Sequence, residues 1–183
     1  MATIKPENSE KTGKVFILDV DGVLTTGQFF YGREGKMYKV FGPDDADALA
    51  VLSNHIEIRF VTGDRKGFQI SERRIVTDMK YKLDLVSTVL RLDWIRERYN
   101  LADVIYMGDG IFDQLVMRHV SYSIAPANAD ITAKQAANYV TERSGGDRAV
   151  AEACLHVLSK FFGCSDLSDG SQFKNRSLGE WSF

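Results

Sequence analysis

The chain has little that would suit it to an oxidising compartment or a bilayer. Its 183 residues include two cysteines, Cys154 and Cys164, too few and too isolated for a disulfide framework or a metal pattern. No early apolar segment resembles a secretory signal, and no apolar run approaches the length of a membrane span. A cytoplasmic, reduced protein is the expectation. Neither sign of charge is in excess: 23 Lys and Arg against 25 Asp and Glu leave a net charge of -2, which gives no electrostatic case for nucleic acid or an anionic membrane. No internal repeat is visible. The three histidines (His55, His119, His156) fall in or beside expected helices and read as structural. What remains is ordinary for a soluble globular protein, with 44% hydrophobic and 26% charged residues. One domain of this length buries roughly 70% of its unfolded surface.

The chemistry starts in residues 14–27, KVFILDVDGVLTTG. The apolar run Val15, Phe16, Ile17, Leu18 is too short for a helix and reads as a fully buried strand. It ends in Asp19 and Asp21, which at i and i+2 emerge on one side of the strand, followed by Gly22. In an open parallel sheet the crevice beyond the strands' carboxyl ends is where ligands bind. Two carboxylates at ~4 Å repel by ~4 kcal/mol at an effective dielectric of about 20, so either a cation sits between them or one carries a proton. A bare DxD is also compatible with a charged turn. An EF-hand is excluded, because Val23 and Leu24 stand where alternating ligands would be needed.

Along the chain, residues 1–13 read as a polar lead-in. Segments 28–31 and 36–41 read as a hairpin about the turn Gly32-Arg33-Glu34-Gly35, an insertion spanning 27–42 that projects from the sheet. Its aromatics (Phe29, Phe30, Tyr31, Tyr38, Phe41) either cover the active site, pack on another subunit, or fold back on their own domain. A helix opens at Pro43-Asp44-Asp45 and runs to about 54. A strand over 56–62 ends in Thr62-Gly63-Asp64. A helix over 66–77, a weaker strand near 82–86 and a helix over 87–99 follow, the last on the stripe Val86, Val89, Leu90, Trp94. A strand at 104–107 closes on Gly108-Asp109-Gly110. Units at 122–125, 131–137 and 139–141 precede a final helix over 148–161, striped by Val150, Ala153, Cys154, Val157, Leu158 and Phe161. Residues 164–183 are a polar tail. Strands alternating with helices at this spacing mean an α/β sandwich on a mostly parallel sheet, occupying 14–163.

Each strand end carries a polar group: Asp19 and Asp21, then Thr62, then Asp109 with Asp113. Singly, each has a plain explanation as a turn residue, a helix cap or a surface charge. Together and in this order, DxDGxLT, a strand ending T-G, and GDxxxD resemble the haloacid dehalogenase-like (HAD) phosphohydrolases. That resemblance implies a Rossmann-like three-layer sandwich and an aspartyl-phosphate route. Asp19 would be the nucleophile and Asp21 the acid and base. Mg²⁺ would be held by Asp19, the Asp21 backbone carbonyl and Asp109, with Asp113 supporting them from a second shell. Thr62 and backbone amides near Gly22 and Gly63 would donate to the phosphoryl oxygens.

The short chain with a hairpin in place of a large cap, together with GGDRAVAE at 145–152, resembles one branch, the 3-deoxy-D-manno-octulosonate 8-phosphate (KDO 8-phosphate) phosphatases. The branch implies a small sugar-phosphate substrate and a homotetramer joined through hairpin 27–42. It also implies a substrate-side loop at Gly145, Gly146 and Arg148, at a helix N-terminus. The chain departs from the branch in three places. The branch lysine that opens the helix before GD is missing at 86–89; Lys80 and Lys82 lie upstream and Arg91 one turn downstream, and Lys82 is the substitute proposed here. Gly110 stands where an Asp is usual, and Asp64 where an Arg is usual, with Arg65 next to it. Two alternatives follow: a degenerate member serving as a binding or scaffold domain, and a HAD phosphatase for another phosphorylated metabolite.

Overall fold

The computed structural model describes residues 13–164. The expected lead-in and tail lie outside the described residues, save for Gly13 and Cys164. Six strands form one sheet: β1 (Val15–Asp19), β4 (Glu57–Thr62), β5 (Lys82–Leu85), β6 (Val104–Met107), β7 (Tyr122–Ala125) and β8 (Tyr139–Val140). The other two, β2 (Thr25–Gly32) and β3 (Gly35–Phe41), make a separate antiparallel hairpin. The sheet order is β5-β4-β1-β6-β7-β8, and every neighbouring pair is parallel.

β1 is buried along its whole length, and its period of two divides the core between the faces of the sheet. Phe16 and Leu18 join Phe60, Ile105 and Met107 on one face. Val15 and Ile17 join Val61, Val104 and Tyr106 on the other. The first face is covered by α1 (Asp45–Leu52) and α6 (Ala149–Phe162), which contribute Leu49, Leu52, Val150, Cys154, Val157 and Leu158. It is covered also by Ile75 from a π-helical turn, Arg73–Asp78, that continues α2 (Phe68–Glu72). The second face is covered by α3 (Arg91–Arg96), α4 (Gln114–Met117) and α5 (Ile131–Ala136), through Ile95, Val116, Met117 and Ala133. The result is a three-layer α/β sandwich with a hairpin attached.

The chain leaves β1 towards β4 and β5, then crosses back to β6 on the other flank of β1. The carboxyl ends of β1, β4 and β6 therefore meet at a topological switch point. Asp19 lies level with Val61, Leu18 with Met107, and Thr62 with Leu85. The acidic turn, the T-G turn and the GD turn are thus brought to one edge by sheet register alone.

One helix differs from expectation. In place of a continuous helix over 87–99 there is a 3₁₀ turn, Thr88–Leu90, and then the short α3. Val89 and Leu90 face solvent, 52% and 59% exposed, while Arg91 and Ile95 are fully buried. A charged residue occupies the inward position that the apolar stripe had claimed.

Candidate active site

The turn after β1 winds tightly, with the amides of Val23, Leu24 and Thr25 all donating to the Val20 carbonyl at 2.9–3.3 Å. Gly22 is at φ +86°, and a Cβ there would sit 1.9 Å from Asp109 Oδ2. Only glycine allows the acid following β6 to lie against the acid-bearing turn of β1. Asp19, 8% exposed, accepts the Val20 amide at 2.7 Å. Asp19, Asp109 and Asp113 each offer a carboxylate oxygen, and these oxygens lie within 4.8 Å of one another.

Burial and close negative charge raise two of these acids. Asp109 is pushed up to about 8, first by burial and then by the charges of Asp19, Asp113 and Asp21. Asp19 is raised to about 6 by burial, with Asp113 adding to the rise and Arg91 opposing it. Asp113 faces inward: Oδ2 accepts the amides of Asp109 (3.0 Å) and Gly110 (2.8 Å), while Oδ1 accepts Arg91 and Tyr106. Its oxygens are spent holding the loop and its neighbours, as suits an orienting group behind the first ligands. The all-oxygen donor set, with Asp109 held far above the ordinary carboxylate range, fits a hard divalent cation.

Beside the cluster opens a cleft of about 330 Å³. It is lined by Asp19 and Asp21 from the acidic turn, by Thr62, Gly63, Asp64 and Arg65 at the end of β4, and by Leu85, Ser87 and Thr88 at the end of β5. Thr62 is buried; its Oγ lies 3.5 Å from Asp21 Oδ2 and accepts the Asp64 amide at 3.1 Å. A Cβ at Gly63 would meet Thr88 at 3.4 Å, so the glycine keeps the cleft open rather than relieving a clash. This volume is at the small end for ligand pockets.

The haloacid dehalogenase-like hydrolase family matches residues 34–153 of the sequence. The chain belongs to this family. It is 32% identical over 149 residues to the 3-deoxy-D-manno-octulosonate 8-phosphate phosphatases KdsC of Salmonella typhi and of Escherichia coli K12, a match covering 79% of this chain and 79% of each relative. The KdsC of Yersinia pestis is 28% identical over 169 residues, covering 85% of this chain and 86% of the relative. Among solved structures, the Moraxella catarrhalis KDO 8-phosphate phosphatase, in complex with magnesium, phosphate and KDO, superposes with a TM-score of 0.68 at 25% identity, over 80% of this chain and 86% of that one. The cobalt-bound Haemophilus influenzae deoxy-D-mannose-octulosonate 8-phosphate phosphatase gives 0.72 at 27%, over 90% and 94%. The chain is a phosphatase of the HAD family.

Not every expected residue joins this HAD site. Lys82 opens β5, whose far end, Leu85, is the residue at the cleft. Three strand residues at ~3.3 Å each put Lys82 about 10 Å away, at the wrong end of the sheet. Its side chain is 72% exposed and lies 3.9 Å from Glu57. Lys82 is therefore corrected to a surface strand charge. Gly145 and Gly146 do not line the cleft either. A Cβ on Gly145 would stand 1.9 Å from the Gly22 carbonyl, and one on Gly146 (φ +69°) 2.5 Å from the Thr26 amide. They pack backbone to backbone beneath the acidic turn, where Asn128 accepts the Gly145 amide at 2.7 Å and donates to the Gly22 carbonyl at 3.3 Å. Arg148, at the start of α6, pairs with Asp44 before α1 and with Asp147. The two glycines thus pack against the acidic turn, and Arg148 ties the start of α6 to the residue before α1.

Two cations stand among the acids: Arg91, which the sequence sets behind Lys82 as a substitute, and Lys39, which it does not single out. Arg91 is fully buried; Nη1 donates to Asp19 Oδ2 (2.8 Å) and Asp113 Oδ1 (2.9 Å), and Nη2 to Asp19 Oδ1 (3.3 Å). Burial disfavours its charge, but Asp19, Tyr106 and Asp113 outweigh that and hold its pKa well above the usual value. The available signal was Arg91 four residues before Ile95, on the buried side of one helical turn. Lys39 of β3 is the second, its ammonium 2.8 Å from Asp21. The signal there was a lysine on the inward side of a hairpin strand.

Proposed function

We propose that this phosphatase hydrolyses the phosphomonoester of a small acidic sugar, KDO 8-phosphate or a related keto-sugar acid phosphate, through an aspartyl-phosphate at Asp19. The observation that carries the reading is that Asp19 lines the cleft together with Asp21 and Thr62 while offering a carboxylate oxygen within 4.8 Å of those of Asp109 and Asp113. Asp19, the Asp21 backbone carbonyl and Asp109 would hold Mg²⁺, which supplies the positive charge that lets a phosphate dianion approach this acidic edge. Asp19 attacks phosphorus, Asp21 protonates the departing alkoxide, and Asp21 then takes the proton of the water that cleaves the acyl phosphate. Thr62 and the amides about Gly22 and Gly63 donate to the phosphoryl oxygens. Arg91 stands where the branch's missing lysine would leave a deficit of charge: it keeps Asp19 ionised and in place below the cleft.

The hairpin supports assembly as a homotetramer. Phe30, Tyr31 and Tyr38 are 56%, 63% and 61% exposed, an apolar surface that a second copy of the chain would cover. Among the described residues no helix is long and apolar enough to cross a membrane, and a cytoplasmic location is part of the same reading.

The test is phosphate release from a panel of sugar phosphates with Mg²⁺, comparing wild type with Asp19→Asn. Release is expected from the wild type alone, and equal release by both would overturn the nucleophile assignment. One observation favours a second reading, a binding or scaffold protein without turnover: Arg91 contacts both oxygens of Asp19. Wild type that releases phosphate from no member of the panel would favour it over the sugar-phosphate reading.

A further inference from the structure

Lys39 is a lysine on the projecting hairpin, yet its side chain is completely shielded from solvent. Its ammonium group lies 2.8 and 2.9 Å from the two oxygens of Asp21, 2.9 Å from Asp64 Oδ2 and 2.8 Å from Ser71 Oγ. An ammonium has three protons, and three residues take them. A phosphate oxygen could reach Lys39 only by displacing one of these partners, so the arrangement suits holding a protein group better than holding substrate. The group held is Asp21, whose one other side-chain hydrogen bond among the described residues is from Thr62 Oγ at 3.5 Å, a long one.

The seat for this lysine is built. Asp64 accepts Lys36 Nζ at 2.6 Å and the Gly67 amide at 3.1 Å as well as Lys39. Lys36 also lies 3.3 Å from the centre of the Phe29 ring. A Cβ at Gly67 would come within 2.2 Å of Asp64 Oδ2 and 2.8 Å of both lysine stems. The absent side chain is the space through which the lysines reach the body. Ser71, fully buried in α2, has its hydroxyl aimed at the ammonium.

We propose that Lys39 is a positioning residue: seated by Asp64, Ser71 and the gap over Gly67, it fixes the Asp21 carboxyl group at the angle from which it gives its proton to the leaving group and, once ionised, takes one from the attacking water. The inference rests on the reading of Asp21 as general acid. It makes hairpin strand β3 part of the catalytic apparatus through its hold on Asp21.

Leaving-group dependence tests it. General acid catalysis matters for an alkyl phosphate, whose alkoxide leaves badly, and hardly at all for p-nitrophenyl phosphate, whose phenolate leaves unaided. In Lys39→Met, kcat/KM for the alkyl sugar phosphate cleaved fastest in the panel should fall about 10²-fold, and that for p-nitrophenyl phosphate less than about 10-fold. Lys39→Arg should restore part of the loss. Ser71→Ala, which removes one acceptor from the seat, should show the same selectivity at smaller amplitude, and decides the matter if Lys39→Met does not fold. Equal losses on both substrates, or no loss, overturn the proposal. Asp21→Asn is the control. If it shows no leaving-group selectivity, the acid assignment fails and the inference with it. If it is selective while the Lys39 and Ser71 variants are not, only the inference fails.

Discussion

Replacing Arg91 by methionine isolates the role of buried charge at this site. The guanidinium is fully inaccessible, with Asp19 and Asp113 at 2.8 and 2.9 Å. Methionine fills much of the same volume, so the cavity contribution is small. The loss is electrostatic: two buried carboxylates are left without their counter-charge, which costs about 3–5 kcal/mol when one partner of a buried pair is removed. In a protein of this size each kcal/mol moves Tm by about 2–4 °C, so Arg91→Met should melt roughly 6–20 °C below wild type. The assay is thermal denaturation followed by circular dichroism, near neutral pH in EDTA. Two internal checks accompany it. Magnesium should raise the Tm of the variant more than that of wild type, because a divalent cation can replace the missing charge. Acidification should narrow the gap, since protonated carboxylates no longer need a partner. A variant melting within about 2 °C of wild type in EDTA would refute the claim that Arg91 neutralises this cluster, because a difference that small is under about 1 kcal/mol.

Two further predictions follow from the acids and the hairpin. Asp19 and Asp109 are raised from an ordinary 3.8 to about 6 and about 8. Between about pH 4 and pH 8 the metal-free folded protein therefore binds more protons than the unfolded chain, and its stability falls as pH rises through that window. Tm measured in EDTA should drop across it, and saturating Mg²⁺ should flatten the slope; a Tm that rises with pH would contradict the assignment. On the hairpin, Phe30→Ser with Tyr38→Ser should shift light scattering from a tetramer towards monomer, whereas a wild type that is monomeric at all concentrations would exclude the assembly.

The legibility of this protein follows the range of its interactions. The acidic turn, the T-G turn and the GD loop could be read because each is set by neighbours in sequence, and register in a parallel sheet then does the assembling. Burial of β1 on both faces was visible in four consecutive apolar residues. Arg91 was not, because its inward position is stabilised by acids 72 and 22 residues away, and a periodicity count that credits only apolar side chains gives Val89 and Leu90 its place. Lys82 was chosen for its proximity in sequence to the missing lysine, whereas the direction of β5 sets it at the opposite end of the sheet. Gly145 and Gly146 look the same in sequence whether they make room for a ligand or for another stretch of main chain, and here the neighbours are the backbones of Gly22 and of Thr25 and Thr26. The helix expected over 66–77 is present, but its second half is wound differently. The widened turn Arg73–Asp78 keeps Ile75 buried while the chain changes pitch, and nothing in the composition marks such a change.

The seat over Gly67 has a consequence for anyone building hybrids of this enzyme. Exchanging segment 25–41 for that of a relative looks like a modular swap of one excursion on a conserved body, but its roots reach residues 64, 67 and 71. A chimera that transfers the excursion alone would bring in lysines that find no acceptor, or leave Asp64 and Asp21 facing each other unpaired. Viable hybrids should be those in which all four pieces travel as one cassette.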